Sequence, residues 1–188
     1  MKTKHYKNRE LTLKICLAAM CLALVFVLPF ITGSNPELGN ALSPMHIPAF
    51  LMGIVIGPYF GGALAFLAPV LRSLILGSPA LFPRAVTMSF ELMGYALVFG
   101  LLYKALKKKI PSIYISLVCA MVVGRVLGCL FKLLLYKTGA VGAFSLPVVL
   151  SGYFLETLPA VIIQILVIPP IVLALRRAKI ITSIEGRK

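Results

Sequence analysis

The stretch that decides the fold is the linker Lys104-Ala-Leu-Lys-Lys-Lys109, set between the apolar runs Arg84–Tyr103 and Ser112–Tyr136. Cationic loops resist translocation, so such a linker marks the cytoplasmic side of a membrane protein. Working outward, the same signal recurs at both ends of the chain. Lys2, Lys4, Lys7, Arg9 and Lys14 precede the first apolar run, and Arg176, Arg177, Lys179, Arg187 and Lys188 follow the last. These three places hold most of the 19 Lys and Arg residues. Of the exceptions, Lys137 lies in a loop, whereas Arg72, Arg84, Arg125 and Lys132 lie inside or at the edges of apolar runs, where a charge is costly.

Composition agrees. The chain is 60% hydrophobic and 13% charged, with a mean hydropathy of +1.01, against about 45–50% apolar and about 25% charged in soluble domains. Its 188 residues suit one compact bundle. A net charge of +14 suggests nucleic acid at first. The charge sits in flanks and a linker rather than on one folded surface, so attraction to anionic inner-leaflet lipid explains it better. Cys16, Cys21, Cys119 and Cys129 fall in apolar runs without metal-like spacing and read as small buried side chains. The first apolar run is long and shows no convincing signal-peptidase site.

Breaks in the apolar pattern give six spans. The first covers Leu11–Thr32, close to the roughly 20 residues that cross a bilayer core. A polar segment, Gly33–Ser43, follows. The run Pro44–Gly77 is too long for one helix and is cut at Gly57-Pro58, because proline disfavours helical geometry in the residue before it. That predicts a short second span, Pro48–Ile56, and a third, Tyr59–Leu76. The fourth is Arg84–Tyr103, the fifth Ser112–Tyr136, and the sixth Leu146–Leu175, distorted at Pro159 and Pro169-Pro170. The expected fold is an all-α membrane bundle of six transmembrane helices with both termini cytoplasmic. Residues 1–10 form an N-terminal arm, 11–175 the membrane domain and 176–188 a basic tail. No period-2 alternation supports a barrel.

Polar residues inside these spans fall into stripes at helical spacing. Arg84, Thr87, Met88, Glu91 and Tyr95 share a face of the fourth span. Arg125 and Lys132 share one on the fifth, and Tyr153, Glu156, Ala160 and Gln164 one on the sixth. Arg72 lies in the outer half of the third. Internal ion pairing and snorkelling explain any one of these residues. They do not explain the set, since four cations face two carboxylates and leave two positive charges over. An anionic ligand or a wet cavity would relieve them. The charges concentrate in the outer half, with Arg125 near mid-depth, as in an outward-facing pocket. A channel would instead carry polar residues along its whole depth.

Small-residue spacings occur at Ala19/Ala23, Gly53/Gly57, Gly57/Gly61 and Gly124/Gly128, and such spacing lets helices approach closely. Ala19-x-x-x-Ala23, a polar outer loop before the second span, Pro44-Met-His-Ile-Pro48, Ala68-Pro-Val-Leu-Arg-Ser73, Leu81-Phe-Pro83 and Phe90-Glu-Leu92 occur in that order. In this combination the chain resembles the substrate-binding S component of energy-coupling factor (ECF) vitamin transporters, over nearly its whole length. The resemblance implies high-affinity capture of a vitamin or related micronutrient from outside. A transmembrane coupling subunit and two ATPase subunits would then drive release, so ATP is used by the partners and no cofactor by this chain. It implies that Ala19 and Ala23 contact the coupling subunit. It also implies a site built from the last three helices and the loop after the first, here Arg84, Glu91, Tyr95, Arg125, Lys132, Glu156 and Gln164 with the stretch ending at His46; Arg72, on the third span, joins these candidates through its intramembrane charge.

The cationic surplus favours an anionic ligand, whose carboxylate or phosphate Arg grips in bidentate fashion. Among the vitamins that this family carries, pantothenate fits best. The absence of Trp speaks against a large flat ring such as a flavin. Pyridoxine, hydroxymethylpyrimidine, lipoate, folate and queuosine precursors stay open. A self-sufficient secondary transporter is the alternative, though no inverted repeat with matching broken helices is evident. A membrane enzyme is less favoured, because His-Glu-x-x-His, Gly-x-Ser-x-Gly and the Walker lysine are all missing. His5 on the arm and His46, expected at the rim of the outer mouth, do not make a catalytic zinc site.

Overall fold

A computed structural model describes residues 2–32, 39, 42–106, 109–139, 151–178 and 180. The described chain is helical and follows the apolar runs. Helix α1 (Lys2–Val27) continues as a 3₁₀ turn, Leu28–Thr32. After it come α2 (His46–Val55), α3 (Pro58–Leu76), α4 (Val86–Ala105), α5 (Ile110–Lys137) and α6 (Leu158–Arg177). The N-terminal arm is thus the first turns of α1.

Five segments are long and apolar enough to cross a membrane: Leu11–Phe30, Pro58–Leu76, Leu81–Ala105, Ile110–Lys137 and Leu158–Arg177. Helix α2 is the exception to the expected six. Its 10 residues rise about 15 Å, half of a hydrocarbon core of about 30 Å. It ends where the sequence places the break. Gly57 has φ 111°, a conformation that costs glycine least, and Pro58 opens α3 at a position that needs no N–H donor.

The side-chain contacts fix how the helices run. His46 meets Tyr95 at the start of α2, Gly53 faces Ala96, and Gly57 lies beside the Lys104 ammonium, so α2 runs parallel to α4. Phe66 packs on Phe90 and Gly62 meets Leu97, while Phe90 stacks on Phe131 and Gly94 meets Gly124, so α3 and α5 run antiparallel to α4. Leu13 and Leu17 of α1 pack with Val55 of α2 and Leu175 of α6. The start of α1 and the end of α6 therefore lie together, at the end of the bundle that Lys104 also occupies. Helix α4 is the hub, packed against α2, α3 and α5, while α6 touches α2 and α5.

Backbones approach closely on both sides of α4. A Cβ at Gly53 would overlap the Ala96 carbonyl, and one at Gly100 would overlap the Gly53 carbonyl. On the other side Gly94 abuts Gly124. The core that forms around these contacts contains Phe50, Met52, Leu92, Tyr95, Phe99, Ile113, Leu117 and Ile168, all buried.

Proline placement explains the remaining differences from expectation. The turn Leu81–Ala85 is broken at Phe82, which is extended (φ −125°, ψ 135°) ahead of Pro83. Regular helix therefore begins at Val86, and Arg84 sits in the broken turn. Pro159 causes no distortion, because it occupies the first turn of α6, where no intrahelical N–H bond is lost. Pro169 and Pro170 lie inside that helix. Residues 146–150, expected to start the sixth span, are outside the described residues.

Candidate ligand-binding site

Four helices deliver polar side chains to the centre of the apolar bundle. Glu91 and Tyr95 are one turn apart on α4, and the Tyr95 hydroxyl donates to Glu91 Oε1. Arg125 reaches across from α5, its Nε 3.4 Å from Tyr95 Oη. His46, the first residue of α2, meets the Tyr95 ring edge-on with centroids 5.1 Å apart. Gln164 of α6 closes the set, with Nε2 3.4 Å from His46 Nδ1. All five side chains are buried.

The chain thus places a connected row, Glu91–Tyr95–Arg125 on one side and Tyr95–His46–Gln164 on the other, where apolar packing surrounds it. Glu91 and Arg125 are linked through Tyr95 Oη instead of meeting as a direct pair. That arrangement leaves hydrogen-bonding capacity unused. Arg125 Nη2 and Gln164 Oε1 are buried and have no partner among the described residues. Leaving such groups unsatisfied costs about 1–3 kcal/mol each, and more for a charged one. Two of them beside one row is what a site built to grip a polar ligand group looks like before the group arrives.

Two residues that the polar stripes do not reveal hold this row in place. Phe50 stacks on the Tyr95 ring at 4.6 Å with planes 23° apart. It lies one turn beyond His46 on α2, so helical spacing from His46 was the available signal. Gly124 lets α5 approach so closely that a Cβ there would run into the Tyr95 ring and come within 2.9 Å of the Glu91 carbonyl. This close approach brings Arg125, the next residue, alongside Tyr95.

The other expected site residues lie elsewhere. His46 is not at the outer rim, because α2 is short and begins about halfway along α4. Arg72 is buried and engaged away from the row, with its Nε lacking a partner among the described residues. Its Nη1 donates to the Ser78 carbonyl and its guanidinium lies 5.8 Å over the Phe30 ring, tying the end of α3 to the end of α1. Arg84 and Glu156 are exposed, and Lys132 is half-buried. The surplus of two positive charges is therefore not gathered at one point: the central cluster holds one cation, Arg125, and one carboxylate, Glu91. Ala19 and Ala23 are both exposed on α1, the least buried of the five long spans.

Among the described residues no three His, Cys, Asp or Glu side chains come together as a metal site. The comparisons bear on what the cluster serves. No curated protein matches the chain. A family model described as "ECF transporter, substrate-specific component" matches residues 13–172, from the first turn of α1's apolar run to the last turns of α6. With that match spanning the helices that build the polar row, the chain belongs to the family of ECF transporter substrate-specific components.

Proposed function

We propose that the chain captures a vitamin or related micronutrient at the outer face of the cell membrane, with high affinity, and presents it to an ECF coupling subunit driven by two ATPase subunits. As a member of this family it is a multi-pass membrane transporter component that takes a small-molecule substrate and associates with ECF partners; it is not an enzyme. The finer reading is supported above all by the buried, unpartnered Arg125 Nη2 and Gln164 Oε1. Arg72 Nε and Ser116 Oγ are likewise buried without a partner among the described residues, but Arg125 Nη2 and Gln164 Oε1 belong to one connected row of polar side chains, where a bound ligand group would satisfy them.

The proposed topology follows from the charges. The ends of α1 and α6 that lie together carry the basic arm and Arg176 and Arg177, and the α4–α5 linker carries Lys104 and Lys109 at the same end. That end is cytoplasmic by the excess of Lys and Arg. Both termini are then inside, six helices alternate in direction with α2 filling only the inner half, and the polar row faces the outside. Residues 11–175 form one membrane domain between a basic arm and a basic tail. The chain itself uses no cofactor, and ATP is consumed by its partners.

The ligand is anionic in this reading, with pantothenate as the best-fitting vitamin. Arg125 supplies the charged donor, and Glu91, Tyr95 and Gln164 suit its hydroxyls and amide. Arg125→Ala is expected to weaken calorimetric pantothenate binding by roughly tenfold to a hundredfold, the equivalent of a charge-assisted contact of about 1.5–3 kcal/mol. Melting of the ligand-free protein in detergent is the control. A variant that melts far earlier, while its folded fraction binds normally, would make Arg125 a structural residue and displace the site.

A further inference from the structure

We infer that the first part of α6, Leu158–Gln164, is a flap over the polar row, hinged at Pro169-Pro170. Swung out, it opens a path from the outer face to the row. Swung in, it closes the site with Gln164 against His46. The flap's role at the site rests on the reading of the row as the ligand site, whereas the hinge stands on packing alone.

Packing sets α6 apart from the other helices that carry the row. A Cβ at Gly53 would overlap the main chain of α4, and one at Gly94 would meet the Gly124 main chain of α5. Helices α2, α4 and α5 are therefore held main chain to main chain, and they cannot part without losing the core. Helix α6 contains no glycine, and none of the described glycines brings another helix against its main chain. It is attached by side chains.

That attachment is uneven along the helix. Towards the cytoplasmic end Ile168, Pro169 and Val172 are buried, and Leu175 packs with Leu13, Leu17 and Val55. Within 158–167 only Ala160 and Gln164 are fully buried, while Leu158, Ile162 and Leu166 are 50%, 59% and 66% exposed. One part of α6 is anchored and the other leans on the bundle.

The two prolines lie where the anchored part begins. Neither has an N–H, so Ile165 and Leu166 lose the bonds that an unbroken helix gives their carbonyls. Two consecutive rungs are missing, and bending costs less there than elsewhere in the helix. Pro169 is buried on the core side, where its ring crowds the Ile165 carbonyl. Bending the outer part away from the bundle relieves that crowding. Leu158 lies about 16 Å from Pro169 along the axis, so a kink of about 20° moves it about 6 Å. Pro69 also lies inside a helix, but Gly61 and Gly62 seat that helix, α3, closely against α2 and α4.

Spin-label distance measurements on the full chain in lipid nanodiscs test this. In a Cys16→Ala, Cys21→Ala, Cys119→Ala, Cys129→Ala background, one pair of labels is placed by Leu158→Cys and Leu130→Cys, on exposed positions of α6 and α5. A second pair, Ala174→Cys and Tyr114→Cys, reports on the anchored end. Without ligand the first pair is expected to show two distances about 6 Å apart, or a spread of that size, and the second a single narrow one. Pro169→Ala with Pro170→Ala restores both rungs and should narrow the first pair to one distance without lowering the melting temperature. If that double variant folds poorly, Pro170→Ala alone, at an exposed position, should narrow it in part. A first pair as narrow as the second, or one that alanine leaves unchanged, overturns the hinge. Pantothenate at saturation is expected to settle the first pair at its shorter distance. Calorimetric binding without that change overturns the flap's role at the site and leaves the ligand-site reading intact. If calorimetry shows no binding, pantothenate is the wrong ligand, and the inference stands or falls on the ligand-free distances.

Discussion

Gly53→Leu is expected to leave little correctly folded protein. Gly53 sits where α2 and α4 run in parallel with their backbones nearly touching, so that even a methyl group would overlap the Ala96 carbonyl. The Gly53 carbonyl is in turn the group that a Cβ at Gly100 would strike. No rotamer of the leucine avoids this, because the obstacle is main chain. Core overpacking that side chains can absorb costs about 1–3 kcal/mol. Here a helix must move, and moving α2 withdraws His46 and Phe50 from Tyr95. The loss should exceed that range and consume a large part of a stability of about 5–15 kcal/mol. Ala63→Leu, on an exposed position of α3, adds comparable bulk without an obstacle and should behave like wild type. Size-exclusion profiles and melting in detergent distinguish the two. A Gly53→Leu protein that elutes as a single peak and melts within a few degrees of wild type would show that α2 and α4 do not approach so closely.

Ala19→Trp or Ala23→Trp should abolish transport and leave ligand binding intact. Resemblance to the family implies that this face meets the coupling subunit, and in the folded chain both alanines are exposed on the helix with the least intramolecular cover. Close helix packing depends on small side chains, so an indole at either position would hold a partner helix several ångströms off. The central row is built from α2, α4, α5 and α6, and α1 contributes nothing to it. Uptake by cells or vesicles containing the whole complex should therefore fall to background, while calorimetric pantothenate affinity of the isolated chain stays within about threefold, less than 1 kcal/mol. Joint loss of binding and uptake would instead place this face inside the chain's own packing.

Much of this molecule is legible in one dimension because the bilayer imposes a simple rule: helices that cross it must be apolar over their length. The long apolar runs mark the helices, and Gly57-Pro58 marks the break between α2 and α3, since a local dihedral preference suffices to set it. The pairing of Glu91 with Tyr95 is equally local, as residues four apart on a helix are neighbours. Arg84 is a case where the local signal was present but overridden. The stripe it shares with Glu91 requires continuous helix, and Pro83 breaks the turn through Phe82.

What the sequence by itself determined is the helix content, the position of most breaks and the candidate polar residues, because these depend on hydropathy, charge and dihedral preferences within a few residues. Which candidates meet was decided only by tertiary structure. His46 and Gln164 are 118 positions apart, and Arg125 and Tyr95 are 30 apart. Their meeting depends on α2 beginning about halfway along α4 and on Gly124 letting α5 close on α4. Arg72, of the same residue type and as deeply buried as Arg125, instead spends its guanidinium on the Ser78 carbonyl and the Phe30 ring. A charge in an apolar run announces that it needs a partner; the distance between helices chooses which partner it finds.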